Sequence, residues 1–185
     1  MRILVDGVTI ECSIGNITAQ ADMDAIVNPA APGLVPGAGV SGAIHSKAGP
    51  ELYQECLAHA PLNPGQAIIT SACRLPNKKV IHCLPPAGSC NRSVALLEKC
   101  YLQSLLLADE HGLTSVAFPS LFSGSLGTPP VSAAAIALRA VRKAAPLLRN
   151  VRRVCFVLFD RHTFLHYRNL MAANPESVIH TTITG

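Results

Sequence analysis

The sequence predicts a three-layer α/β/α sandwich around a mixed, largely parallel central sheet. Short runs rich in Val and Ile alternate with helical segments along the chain, the pattern of strand–helix–strand units. Gly- and Pro-rich loops follow two of those runs, where strands hand over to helices. At 185 residues, with 49% hydrophobic and 14% charged side chains, the chain suits one globular domain with its own core.

The elements follow in order. "RILVDGVTIECSIGNIT" reads as two strands around a turn at Asp6-Gly7, a dipeptide that suits a hairpin. "DAIVNPA" is a short apolar strand that runs into a loop over 29–39. A helix opens at Ser41 and continues to about Lys47. After the Gly49-Pro50 break, "PELYQECLAHA" resumes helically with Pro in its first turn. "GQAIITSACRLPNKKVIHCLPP" reads as two strands joined near Pro76-Asn77. Residues 92–111 form a helix with Leu96, Leu97, Cys100, Leu105 and Leu106 near helical spacing, closed by Gly112. "TSVAFPS" is a further strand, followed by the loop "LFSGSLGTPP" and the helix "PVSAAAIALRAVRKAA". "VRRVCFVLF" is a buried strand that ends before a last helix over 162–173. Residues 1–173 make the domain, and 174–185 read as a C-terminal extension. Ligands of such sheets bind outside the carboxyl ends of the strands, here at the loops Asn28–Gly42 and Ser120–Gly127.

Composition excludes several classes. No apolar run approaches the ~20 residues of a membrane span, and "MRILVDGVTI" reads as a strand rather than a signal peptide. The seven cysteines are odd in number, scattered and set among apolar neighbours, as reduced core thiols in a cytoplasmic protein would be. Without a C-x-x-C pair, Cys73, His82, Cys83 and Cys90 do not make a zinc site, and no metal or cofactor is expected. The net charge of +4 suits an anionic ligand. Its one dense basic cluster, Arg149, Arg152 and Arg153, lies between a helix and a strand. Aromatic residues are few and Trp is absent, so base-stacking platforms for nucleic acid are poorly supplied.

"VPGAGVSGAIH" contains Gly37-x-Gly39-x-x-Gly42, the spacing of a dinucleotide fingerprint. A fingerprint needs its first glycine directly after a strand and an acidic residue about 20 positions on. Here eight loop residues intervene, and "HAPLNPGQ" supplies no carboxylate. The loop can instead bring backbone amides close to a phosphate at a helix N-terminus. A second loop, Ser123-Gly124-Ser125-Leu126-Gly127, also precedes a Pro-started helix. Two such loops at neighbouring strand ends could clamp a diphosphate.

Four segments then resemble one family in order. "GNITAQADMDAIVNPAAPGLVPGAGVSGAIHSKAGPEL" is similar to the first ligand loop of macrodomains, which runs G-D-I-T, V-D-A-I-V-N-A-A-N, G-G-G-V-D-x-A-I-H. "LPNKKVIHCLPP" resembles the family's L-P-A-K-x-V-I-H-x-V-G-P hairpin. "SVAFPSLFSGSLGTPPVSAAAIALRAV" resembles its S-I-A-F-P-A-I-S-T-G-x-Y-G-x-P segment, and "VCFVLFD" the strand before its final helix. The likeness spans about residues 10–170. It implies an ADP-ribose site. Gly37, Ala38, Gly39 and Val40, with Ser123, Gly124, Ser125, Leu126 and Gly127, would cradle the diphosphate. Asn16 and Ile17 would lie on the adenine side, Asn28 by the distal ribose, and Phe164 beside the adenine or the adjacent ribose.

The departures bear on catalysis. Asn16 stands where the family has the Asp that accepts from the adenine amine; an Asn carbonyl still accepts, without charge assistance. Ala31 replaces the second Asn of N-A-A-N, Ser41 the Asp of G-V-D, and Leu126 the aromatic over the distal ribose. Asn28, Ser41 and His45 remain as candidate catalytic residues. Ser41 and His45, at i and i+4, could pair for nucleophilic work, or His45 could pack under the loop and bond a backbone carbonyl, the reading the sequence favours. His82, inside an apolar strand, reads as a satisfied core histidine, and Asp24 as structural. The leading expectation is a module that binds ADP-ribose or ADP-ribosylated proteins. The alternative is a hydrolase that removes mono-ADP-ribose or deacetylates O-acetyl-ADP-ribose through a loop-held water. A pocket rebuilt for another nucleotide, a phosphorylated metabolite or RNA is the third possibility.

Overall fold

The computed structural model describes residues 1–87, 91–121 and 129–173. At the first turn Asp6 (φ 46°) and Gly7 (φ 78°) are both left-handed, so β1 (Arg2–Val5) folds back on β2 (Val8–Ile14) with Val5 opposite Val8. Two successive positive φ angles match the twist of the flanking strands. The next elements are β3 (Ala25–Pro29), α1 (Gly39–Ala48), α2 (Pro50–Leu57), β4 (Ala67–Ser71) and β5 (Lys79–Cys83). The order then runs α3 (Asn91–Glu110), β6 (Ser115–Phe118), α4 (Pro130–Ala144), β7 (Arg153–Leu158) and α5 (Arg161–Ala173).

The seven strands form one sheet in the order β1-β2-β7-β6-β3-β5-β4. The five inner strands are parallel, and the edge strands β1 and β4 are antiparallel to their neighbours. Alternation along each strand divides the core. Ala25, Val27, Ile81, Val116 and Phe156 face α3, α4 and α5, where Tyr101, Phe118, Phe156 and Tyr167 pack ring against ring. Ile26, Val80, Ala117 and Val157 face α1 and α2, packing with Ile44 and Leu52. The expected α/β sandwich is therefore the fold, with a parallel centre.

Asp24 sets the start of β3. One carboxylate oxygen accepts from Thr114 N and Oγ1 at 2.7 and 2.8 Å, and the other pairs with Lys78 at 2.7 Å. Asp24 N in turn donates to Ser115 Oγ at 2.8 Å. One residue thus ties the beginnings of three adjacent strands, the structural role expected of it. The basic cluster is also engaged within the fold. Arg153 pairs with Glu11 and Asp22, and Arg152 donates to the carbonyls of Leu148, Arg149 and Val151.

α1 begins two residues earlier than the sequence suggests. Gly39 takes φ +59°, a conformation costly for any residue with a Cβ, and turns the chain into the helix ahead of Ser41.

Candidate functional site

The carboxyl ends of β2, β6 and β7 and the start of α1 enclose a cleft of about 410 Å³. Gly15, Asn16 and Ile17 continue from β2, Pro119 and Ser120 from β6, and Phe159 and Asp160 from β7. Gly39, Val40 and Ala43 form the wall contributed by α1.

Each side of the cleft has a local cause. Asn16 caps the 3-10 turn Ile17–Ala19, its Oδ1 accepting from both Thr18 N and Thr18 Oγ1 at 2.9 Å. Both lone pairs of that oxygen are therefore used inside the turn, and the Asn16 Nδ2 hydrogens are what the side chain has left to offer. The expectation that Asn16 would present an acceptor to an adenine amine is corrected accordingly. Asp160 caps α5, its two oxygens accepting from Thr163 N (2.7 Å) and Thr163 Oγ1 (2.8 Å). Those hydrogen bonds hold its carboxyl below the ordinary value, so it is an anion at neutral pH. Phe159, between the end of β7 and this cap, is 90% exposed at the cleft.

The α1 wall is shaped for close approach. Ala38 at the N-cap is extended (φ −92°, ψ 178°) and offers no side-chain cap, and no acidic residue lies in the first turn. The first N–H groups of the helix are thus left to an outside acceptor, at the positive end of the helix dipole. Gly42 permits the geometry: a Cβ there would lie 2.3 Å from the Gly37 carbonyl oxygen.

Behind this wall lies a buried polar group of residues. Asn28, Ser41 and His45 are 0%, 8% and 6% exposed. Asn28 Nδ2 lies 3.0 Å from His82 Nδ1. Among the described residues, Asn28 Oδ1, Ser41 Oγ and both ring nitrogens of His45 have no hydrogen-bond partner. Ser41 and His45 thus do not bond each other, and His45 does not bond a backbone carbonyl. Burial pushes the His45 pKa down, so the ring is neutral. Leaving buried polar atoms unpaired is costly, of order 1–3 kcal/mol each, and groups of them mark places completed by a ligand or water.

Asn16, Ile17, Gly39 and Val40 line the cleft, while Asn28, Ser41 and His45 sit deeper. Phe164 does not line it; the ring packs against the larger core beside α5. Among the described residues, Phe159, which the sequence pattern does not single out, is the aromatic residue that lines the cleft. Ser123, Gly124, Ser125, Leu126 and Gly127 lie outside the described residues, as do residues 174–185. Among the described residues no group of three His, Cys, Asp or Glu could hold a metal ion, and no helix is long and apolar enough to cross a membrane.

With this geometry established, comparison with known proteins is specific. The family model described as "Macro domain" matches residues 27–137. The chain is 40% identical over 163 residues to an O-acetyl-ADP-ribose deacetylase of Citrobacter rodentium, covering 85% of this chain and 92% of the relative. A macro domain-containing protein of Ralstonia nicotianae is 42% identical over 155 residues, covering 83% and 90%. Among solved structures, an Oceanobacillus iheyensis macrodomain with ADP superposes with a TM-score of 0.87 at 34% identity, covering 94% and 95% of the two chains. A Trypanosoma brucei macrodomain in complex with ADP-ribose gives 0.82 at 33% identity, covering 88% and 68%.

Proposed function

The chain belongs to the macro domain family, and from that premise we propose that it binds ADP-ribose, free or attached to a protein, in the cleft between β2, β7 and α1. The carrying observation is the N-terminus of α1, which no side chain among the described residues caps and which opens onto a cleft of about 410 Å³. A diphosphate there meets free amides and the helix dipole together. The base lies between Ile17 and Phe159, and Gly37, Ala38, Gly39 and Val40 face the diphosphate. The distal ribose reaches towards Asn28, where a hydroxyl would supply the partner that Oδ1 lacks. Free cysteines at 12, 56, 73, 83, 100 and 155 suit a reducing, cytoplasmic setting. Nucleic acid is a poor fit, because Arg152 and Arg153 are committed to bonds within the fold.

Calorimetric titration with ADP-ribose, beside AMP and NAD, tests this. Micromolar binding of ADP-ribose with much weaker binding of AMP supports the diphosphate clamp. No heat with ADP-ribose would sink it.

A second reading, hydrolysis of O-acetyl-ADP-ribose or of ADP-ribosyl esters, is favoured by the identity to the Citrobacter rodentium deacetylase and by the unpartnered Asn28 oxygen. Ala31 and Ser41 remove orienting groups, so a weak rate is expected. Acetate release that is abolished in Asn28→Ala and retained in Cys83→Ser would establish it; no release would leave binding alone.

A further inference from the structure

His82 lies in β5, wholly buried and in register with Asn28 on β3. Its surroundings determine which nitrogen carries the proton. Thr70 Oγ1 lies 2.9 Å from His82 Nε2 and donates its single hydrogen to the Ser71 carbonyl, also at 2.9 Å. With that hydrogen on the carbonyl, the hydroxyl accepts from Nε2–H, the tautomer in which Nδ1 keeps a lone pair and which the Asn28 Nδ2 at 3.0 Å also suits. At 3.0 Å from Nδ1 stands the Asn28 carboxamide. Facing a lone pair, it must present its NH₂, and its Oδ1 is turned away, buried and without a partner.

We propose that His82 is a positioning residue: a relay from the Ser71 carbonyl through Thr70 and His82 fixes the Asn28 carboxamide so that Oδ1 is presented to a hydroxyl of the ligand. The inference rests on the ADP-ribose reading for the nature of that hydroxyl, but the relay belongs to this chain alone. Without it, the carboxamide could adopt either of two orientations, one of which offers NH₂ where an acceptor is needed.

The surroundings keep the ring neutral, as the relay requires. Burial above all, with the nearby His45 on α1 and His59 beyond α2 disfavouring a second charge there, pushes its pKa down to about 3, opposed by Glu55 on α2. Cys56 of α2 lies 3.8 and 3.7 Å from the two ring nitrogens, and burial pushes its thiol up to about 11, so it too is neutral.

Two measurements test the proposal. Nitrogen-15 NMR of the His82 ring is expected to show the neutral Nε2–H form from about pH 5 to 8. An Nδ1–H form would overturn the relay, whether or not any ligand binds. ADP-ribose affinity is then followed by ligand-induced shifts in a double-mutant cycle. Thr70→Val keeps the imidazole but removes the group that selects its tautomer, and about a tenfold loss of affinity is expected. His82→Phe is expected to lose at least as much. Neither change should add to the loss in an Asn28→Ala background, because both act through Asn28. Losses that add independently would make His82 and Thr70 merely structural and refute the proposal. If Thr70→Val kept full affinity, the relay would also be refuted. Should the wild-type protein fail to bind ADP-ribose while His82 shows the Nε2–H form, the ligand reading and the presentation of Oδ1 to it both fall, and only the internal relay stands.

Discussion

Replacing Gly42 by alanine asks whether the loop before α1 is shaped for a ligand or is only a tight turn. A Cβ at this position would sit 2.3 Å from the Gly37 carbonyl oxygen and 3.3 Å from its carbon. Both are backbone atoms, so relief requires the Gly37–Gly39 segment to move by several tenths of an ångström. That segment leads into Gly39 and Val40, the α1 wall of the cleft. Misplacing a positioning group by ~1 Å can cost on the order of 100-fold, equivalent to about 2.8 kcal/mol in affinity. Stability responds differently, because alanine is favoured over glycine in a helix by about 1 kcal/mol, which offsets part of the strain. Gly42→Ala is therefore expected to weaken ADP-ribose binding about 100-fold in calorimetry, while the melting temperature falls by only a few degrees. Gly33→Ala provides the contrast. Among the described residues its added Cβ meets Val35 Cγ1 at 3.7 Å, an ordinary contact, so binding within about threefold of wild type is expected. Wild-type affinity in Gly42→Ala, or an equal loss in Gly33→Ala, would refute the steric argument.

Asp24→Ala removes three hydrogen-bond contacts at the starts of β5, β6 and β3 and is expected to cost about 3 kcal/mol in urea unfolding. Burial opposes ionisation of Asp24, but its bonds to Lys78 and Thr114 outweigh it and hold the carboxyl below the ordinary 3.8; its contribution is therefore whole above that pH and is lost as the pH falls through the folded value, where mutant and wild type should converge. Phe159→Ala deletes a ring that is 90% exposed, so stability should change by less than about 0.5 kcal/mol while ADP-ribose affinity falls about tenfold; unchanged affinity would remove Phe159 from the site. Asn16→Asp should tighten ADP-ribose about tenfold in calorimetry and leave its hypoxanthine counterpart without that gain; equal gains for both would mean the residue does not face the base's exocyclic group.

What the sequence reveals is mostly local. The Asp6-Gly7 turn, the short apolar runs of β3 and β5 and the proline-started α4 are each written in neighbouring residues. Strand order is not, since β7 inserts beside β2 through pairs such as Cys12 with Phe156, which no short window contains. The site divides in the same way. The glycine loop shows itself by spacing, whereas the role of His82 depends on Thr70 and Asn28, 12 and 54 residues away. The resemblance, loose in this stretch, points to Phe164 as the aromatic residue, whereas Phe159 lines the cleft. Its position is decided by where β7 stops: Asp160 caps α5, which leaves Phe159 exposed in the connection and turns Phe164, three residues before the buried Tyr167, onto the inward side of the helix.

Asn16 shows why residue identity alone does not settle what a position offers. Side-chain chemistry says that an Asn can accept a hydrogen bond where an Asp would. In the folded chain the oxygen is already claimed, because Thr18 donates both its backbone N–H and its hydroxyl to it, and these bonds hold the 3-10 turn that forms one side of the cleft. An aspartate has two equivalent oxygens, so one can cap the turn while the other faces the ligand. An asparagine has one, and the cap and the ligand compete for it. On the proposed ADP-ribose reading, the NH₂ that remains would suit an acceptor at the edge of the base, such as an adenine ring nitrogen, rather than its exocyclic amine. Capping and recognition, compatible in an aspartate, thus become alternatives at Asn16, and the proposed base site would inherit its preference from a hydrogen bond made within the protein.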